Sequence, residues 1–127
     1  LGRLLPRRRA CPMPRRVARS LATNGLWEDE AMTIGIVATL KVQDGKEADF
    51  EAVFRDLSAQ VRANESGCLM YQLTKSRADP NTYKVLELYK DQDALTHHSG
   101  TDYFKAAGPK MGPCMAGRPE IEYLDGV

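Results

Sequence analysis

Glu87-Leu88-Tyr89-Lys90-Asp91-Gln92-Asp93-Ala94-Leu95-Thr96-His97-His98 joins the end of one element to the start of another. Before Lys90 the residues alternate, with Tyr83, Val85, Glu87 and Tyr89 on one strand face and Leu86 and Leu88 on the other. After it, Asp91 stands where a helix N-cap accepts from backbone amides. A carboxylate, a phenol and an imidazole therefore fall within one strand-to-helix hinge.

Reading upstream, Tyr83–Lys90 is preceded by Ala78-Asp79-Pro80-Asn81. That is a turn, because Pro fixes φ while Asp and Asn bond their own backbone. Cys68–Ser76 before it reads as a strand with Leu69, Tyr71 and Leu73 on one side, so the two strands form a hairpin. Earlier still, Phe50, Val53, Phe54, Leu57 and Val61 lie on one face of a helix over Lys46–Asn64. Glu65-Ser66-Gly67 stops it, with Gly67 expected as a left-handed cap. Thr33–Val42 alternates as a first strand, with Ile34, Ile36, Ala38, Leu40 and Val42 on one side, and Gln43-Asp44-Gly45 turns out of it. Downstream, a helix through His98 restarts at Thr101 or Asp102 and reaches about Ala107, where Gly108 and Pro109 are expected to interrupt it. Glu120–Leu124 is a last strand.

The order β-α-β-β-α-β describes a ferredoxin-like α+β sandwich, an antiparallel sheet with helices on one face. A body of this size buries only about two-thirds of its chain surface. The second sheet face, expected to show Ile, Leu, Val and Tyr, implies a homodimer in which two sheets pack together.

Charge separates the 127-residue chain into two parts. Residues 1–31 hold seven arginines and three acids, whereas residues 32–127 hold 11 basic and 14 acidic groups. The first part is expected to be a disordered basic extension and the second the folded domain. A transit peptide is the alternative for the extension, opposed by Pro6, Pro12 and Pro14, and Met13 and Met32 are both candidate starts. The basic charge belongs to the first part alone, so the body offers no sign of nucleic-acid binding at the level of composition, and no nucleic-acid partner is expected. Three dispersed cysteines, Cys11, Cys68 and Cys114, fit a reducing compartment and no disulfide framework. No apolar run reaches the roughly 20 residues of a membrane span, so the body is expected in the cytoplasm.

Among residues able to carry chemistry, His98 is the candidate base, since an imidazole titrates near neutrality; a helix-end histidine without a role is the alternative. His97 lies roughly 100° around the helix and cannot easily share a ligand, and no metal-ligand spacing surrounds the pair. Glu87 is either a paired structural acid or a pocket group. Tyr71, Tyr83 and Tyr89 either line a pocket or pack the core. Met70, Met111 and Met115 either shape an apolar cavity or fill gaps. Cys68 and Cys114 lack an adjacent activator. The Gly108-Pro109 and Gly112-Pro113 pairs are a rigid connector or a lid.

Gly67-Cys68-Leu69-Met70-Tyr71, Glu87-Leu88-Tyr89-Lys90-Asp91 with Ala94-Leu95 and His98, and Thr101-Asp102-Tyr103-Phe104 together resemble the antibiotic biosynthesis monooxygenase family of dimeric α+β barrels. The resemblance runs from about Met32 to the C-terminus. The family often has tryptophan at the place of Tyr89 and a second histidine at the place of Tyr103. What the resemblance implies is a small oxygenase without metal, flavin or haem, acting on quinols or polycyclic phenols and oxygen. His98 would be its catalytic group, with Tyr71, Tyr83, Glu87, Tyr89, Tyr103 and Met111 at the substrate.

Haem-degrading relatives share the fold, but the places of their asparagine, tryptophan and ligating histidine fall at Ala38, His98 and Gly108, so that reading loses all three groups. The isomerase of a phosphorylated autoinducer is similar over Glu87–Ala94 and would need cations such as Lys90, Lys105, Lys110 and Arg118 for the phosphate. A dimer that holds a phenolic ligand without turnover is a third reading.

Overall fold

The computed structural model describes residues 32–127 together with the backbone of Ser20–Leu21 (β1) and Trp27–Glu28 (β2), which pair antiparallel. The rest of residues 1–31, with the expected disordered extension, the transit-peptide reading and Cys11, lies outside the described residues. The body runs β3 (Ile34–Lys41), α1 (Glu47–Asn64), β4 (Cys68–Lys75), β5 (Thr82–Tyr89), α2 (Gln92–Ser99), α3 (Asp102–Met111) and β6 (Glu120–Asp125). Its four strands are all antiparallel, in the order β4-β5-β3-β6. This is the ferredoxin-like α+β arrangement that the alternation and helical periodicity predict, with a second helix broken at Gly100.

Phe50, Phe54, Leu57 and Val61 project from one face of α1 onto Ala38, Leu40, Tyr71, Tyr83 and Val85 of the sheet, all buried. The Phe54 ring stacks on Tyr71 at 5.5 Å and Phe50 meets Tyr83 at 4.8 Å. Each such fully buried aromatic contributes about 2–3 kcal/mol of apolar transfer. Gly45 sits at φ +85°, the one described residue in the left-handed region, and turns β3 into α1.

Four local expectations are corrected. Gly67 is not a left-handed cap; α1 ends on Glu65 in an extended conformation. Glycine is required at 67 for closeness, since a Cβ there would stand 2.7 Å from the Ala94 Cβ of α2. Leu69 does not share a face with Tyr71, because the register shifts between Cys68 and Met70 and leaves Leu69 as the exposed bulge residue. Pro109 does not end α3, which runs on to Met111. Proline there forfeits the bond to the Lys105 carbonyl. The segment is nonetheless held by buried Ala107 and by a 3-10 turn, Gly112–Cys114, whose Cys114 carbonyl accepts from the Gln43 amide at 2.8 Å.

The helix-free face of the sheet is the fourth correction. Register places Val37, Leu86, Leu88, Met70 and Leu124 on it, with Lys84, Gln72, Thr74, Glu120 and Glu122 toward one end. The tyrosines of β4 and β5 and the isoleucines of β3 lie on the helix side instead. Met70 and Leu124 are exposed, whereas Leu86 and Leu88 are half-buried.

Candidate active site

Three helix ends converge on one side of the sheet. Asp91 caps α2 by accepting from the Ala94 amide at 2.8 Å, and the short helix turns His98 inward as its one buried residue. Thr101 caps α3, accepts from the Phe104 amide, and donates to the His98 carbonyl at 2.9 Å. The third end is that of α1, where Glu65 follows the last turn. Its extended backbone carries a carboxylate that is only 5% exposed.

His98 Nδ1 lies 3.0 and 3.1 Å from the two Glu65 oxygens, and the Tyr103 hydroxyl donates to Glu65 Oε2. The imidazole is walled by Phe104, Tyr71 and Tyr89, with ring centroids 4.6, 5.2 and 5.3 Å away. Burial pulls His98 below its ordinary pKa and outweighs the opposing pull of Glu65. Nδ1 faces the carboxylate, and Nε2 has no partner among the described residues.

Glu87 stands beside this group, opposite Tyr71 in the β4–β5 register. Its carboxylate accepts from the Tyr89 hydroxyl at 2.7 Å. Burial raises it to about 7, with the Glu65 charge adding to the rise and the Tyr89 bond opposing it. Glu87 is thus half-protonated near neutrality. The phenols of Tyr71 and Tyr89 are pushed far up, by burial first and by Glu87 second. That of Tyr103 rises to about 12, mainly by burial. The Arg62 guanidinium donates to the Tyr71 carbonyl at 3.0 Å, while the buried Tyr71 hydroxyl has no partner among the described residues. The Cys68 thiol is raised to about 11 by burial and Cys114 is buried in the core, so neither is an activated nucleophile.

Tyr71, Glu87, Tyr89 and Tyr103 therefore gather about His98. Tyr83 does not: it lies six residues along β5 from Tyr89, roughly 20 Å at the rise of a strand, and its hydroxyl donates to Glu51. Met111 lies eight residues along α3 from Tyr103, about 12 Å, and packs against the core. Met70 lies on the helix-free face and Met115 at the core edge. His97 is exposed and faces a groove of about 240 Å³ that Glu65, Gly67 and Asp93 also line. A larger groove of about 580 Å³ runs between α1 and α3, floored by Ala52, Val53, Leu57 and Ala107, and Tyr103 is the one member of the His98 group on its wall. Among the described residues no three His, Cys, Asp or Glu side chains are grouped to hold a metal ion. No helix among them is long and apolar enough to cross a membrane.

Sequence reading misses Glu65, treating it as part of a helix stop. One signal was present: an acid directly after a helix C-terminus opposes the carbonyl dipole and is unfavourable there unless a cation or strong donors face it. Arg62 is missed likewise, since its carbonyl partner belongs to another element.

The model of the antibiotic biosynthesis monooxygenase family matches residues 33–110. A candidate antibiotic biosynthesis monooxygenase from Caulobacter crescentus CB15 is 65% identical, with a TM-score of 0.75 over 77% of this chain and 92% of that one. A conserved protein from Methanosarcina mazei Go1 is 26% identical, with a TM-score of 0.70 over 75% and 93%. An uncharacterised Synechocystis protein is 26% identical over 89 residues, which is 70% of this chain and 60% of that protein, so the chain spans about three-fifths of that relative's length. The family and the Caulobacter neighbour support a general monooxygenase-like role. Spanning β3 to α3, the match covers more than half of the sequence and every residue gathered about His98, and the chain belongs to the antibiotic biosynthesis monooxygenase family.

Proposed function

We propose that this protein is a cofactor-independent monooxygenase that oxidises quinols or polycyclic phenols with molecular oxygen, with His98 as its base. One observation carries the reading. Two buried polar atoms without partners among the described residues, His98 Nε2 and the Tyr71 hydroxyl, belong to adjacent rings in an aromatic cluster. With the His98 proton on Nδ1, an acceptor and a donor on adjacent buried rings suit a phenolic ligand, whose hydroxyl gives a proton to one and accepts from the other. The phenolate formed is electron-rich enough to pass an electron to oxygen. In the complete reaction the phenol loses a ring C–H and an O–H hydrogen, one oxygen atom becomes a carbonyl of the quinone, and the other leaves as water. All four electrons come from the substrate.

On this reading Tyr71, Tyr89, Tyr103 and Glu87 contact the substrate or shape its pocket, while Tyr83 and Met111 serve packing. The helix-free sheet face, with Val37, Leu86, Leu88, Met70 and Leu124, is assigned to a second copy of the chain, giving a barrel of two sheets. Free Cys68 and Cys114 fit a cytoplasmic protein. Light scattering tests the dimer, which a monomer at micromolar concentration would contradict. The isomerase reading gains little support: of Lys90, Lys105, Lys110 and Arg118, Lys110 lines the groove between α1 and α3, and the other three line neither it nor the groove beside His97.

The deciding experiment is oxygen uptake by purified protein with a panel of reduced quinones and polycyclic phenols, run beside His98→Ala. Uptake that the substitution abolishes supports the proposal. No uptake by the unaltered protein, or uptake unchanged in the variant, removes it. Conversion of a phosphorylated dione without oxygen consumption would put the isomerase in its place.

A further inference from the structure

We infer that Glu65 is a positioning residue that fixes His98 in the tautomer with the proton on Nδ1, and that the Tyr103 hydroxyl, bonded to the same carboxylate, tempers its pull on the imidazole. The inference deepens the proposed oxygenase reading and rests on it for its catalytic consequence, though the tautomer itself can be read without any substrate.

The geometry is that of a three-member relay running from α3 through the end of α1 to α2. Both Glu65 oxygens lie within 3.1 Å of Nδ1, and Oε2 also takes the Tyr103 hydroxyl. An almost fully buried carboxylate beyond a helix C-terminus is opposed by desolvation and by the helix dipole. It persists where charge-assisted donors face it, and these two are the donors that reach it among the described side chains. A carboxylate can only accept, so the Nδ1 facing it must carry the proton and Nε2 must be the acceptor.

That assignment matters for the chemistry. When Nε2 takes the substrate's proton, the imidazolium forms against an anion already in place, and the pair stays neutral until the proton returns to the departing oxygen of the peroxide-level intermediate as water. The titratable groups against His98 are Glu65 from the end of α1, Tyr71 from β4, Tyr89 from β5 and His97 on α2, and those against its partners are Cys68 on β4, Glu87 on β5 and Tyr103 on α3. Of these, Glu65 alone bonds the imidazole.

The test is nitrogen NMR of the histidines in the full chain, without ligand, for the unaltered protein, Glu65→Gln, Glu65→Asp and Tyr103→Phe, with oxygen uptake measured in parallel. The expected result is a protonated Nδ1 and bare Nε2 for His98 in the unaltered protein. In Glu65→Gln the amide can donate to Nδ1, so the Nε2–H form becomes populated and kcat falls by on the order of 100-fold with KM little changed. Glu65→Asp should restore the tautomer in part, and Tyr103→Phe should keep the tautomer while raising the His98 pKa, because Glu65 loses a competing donor. A protonated Nε2 in the unaltered protein, or a Glu65→Gln spectrum identical to it, overturns the inference whatever the oxygen data show. The expected spectra without uptake for any phenol leave the tautomer assignment standing and remove the oxygenase reading instead.

Discussion

Strand β5 meets a tyrosine–carboxylate contact at each of its ends, and the two ends behave differently. At one, Tyr83 donates to Glu51, which is partly solvated and lies 3.6 Å from the exposed Lys75 ammonium. At the other, Tyr89 donates to Glu87 and Tyr103 to Glu65, with His98 between them and little water contact. Residue type is the same in both places. What differs is the cover: α2 and the start of α3 close over the Tyr89 end, and among the described residues no helix closes over the edge where Glu51 and Lys75 sit. Both tyrosines are buried and both phenols are pushed up, burial first, so the ends differ in the carboxylate: burial lifts Glu87 to about 7, whereas Glu51 stays partly solvated beside Lys75.

The largest way to break the comparison is at His98. His98→Ala leaves Glu65 buried with Tyr103 as its remaining side-chain donor, and is expected to cost about 3 kcal/mol in urea unfolding as well as oxygenase turnover. Its counterpart Lys75→Ala, which removes an exposed ion pair, should cost about 0.5 kcal/mol or less in the same measurement.

Next comes the pH dependence of stability. Glu87 has a folded-state pKa of about 7 against 4.5 for the free group, so the folded chain binds the extra proton between those values. Its contribution is fully present below about pH 4.5 and is lost as pH rises through 7, a swing of about 3 kcal/mol at most. His98 has the opposite sign: its lowered pKa favours the folded state above its ordinary range, and that advantage disappears on acidification. Glu87→Gln should therefore raise the melting temperature at pH 8 more than at pH 5. A Glu87→Gln variant whose melting temperature rises equally at pH 5 and pH 8 would overturn this assignment.

Gly67→Ala probes the cover itself. The added methyl meets Ala94 at 2.7 Å, so α2 must shift from β4, at a cost of about 1–3 kcal/mol by thermal unfolding. A smaller effect is expected of Tyr83→Phe, about 1 kcal/mol of stability and less than a twofold change in turnover, set against Tyr103→Phe, which should lower kcat roughly tenfold.

Much of this was legible in the chain. Alternation over Ile34–Lys41 and Thr82–Tyr89 and the helical spacing of Phe50, Phe54, Leu57 and Val61 are local patterns that tertiary packing reinforces. The split between Tyr83 and the other tyrosines was also within reach, since six strand residues span roughly 20 Å and no single small ligand touches both ends. Glu65 was not, because its burial depends on three elements meeting, and residue 65 precedes its partners by more than thirty positions. The continuity of α3 through Pro109 was hidden for a similar reason: the contacts that hold its far end come from Gln43 and Val42.

Strand β6 carries a last consequence. Each of its residues from Glu120 to Asp125 is exposed, and it is tied to the body by one ladder to β3 and by the Gly126 amide on the Thr33 carbonyl at 2.8 Å. With almost no apolar anchorage, its amide protons should exchange with deuterium through local fraying long before those of β3 or β5. The exchange rate along Glu120–Asp125, followed against protein concentration, is thus a built-in gauge of whether a second copy covers this edge.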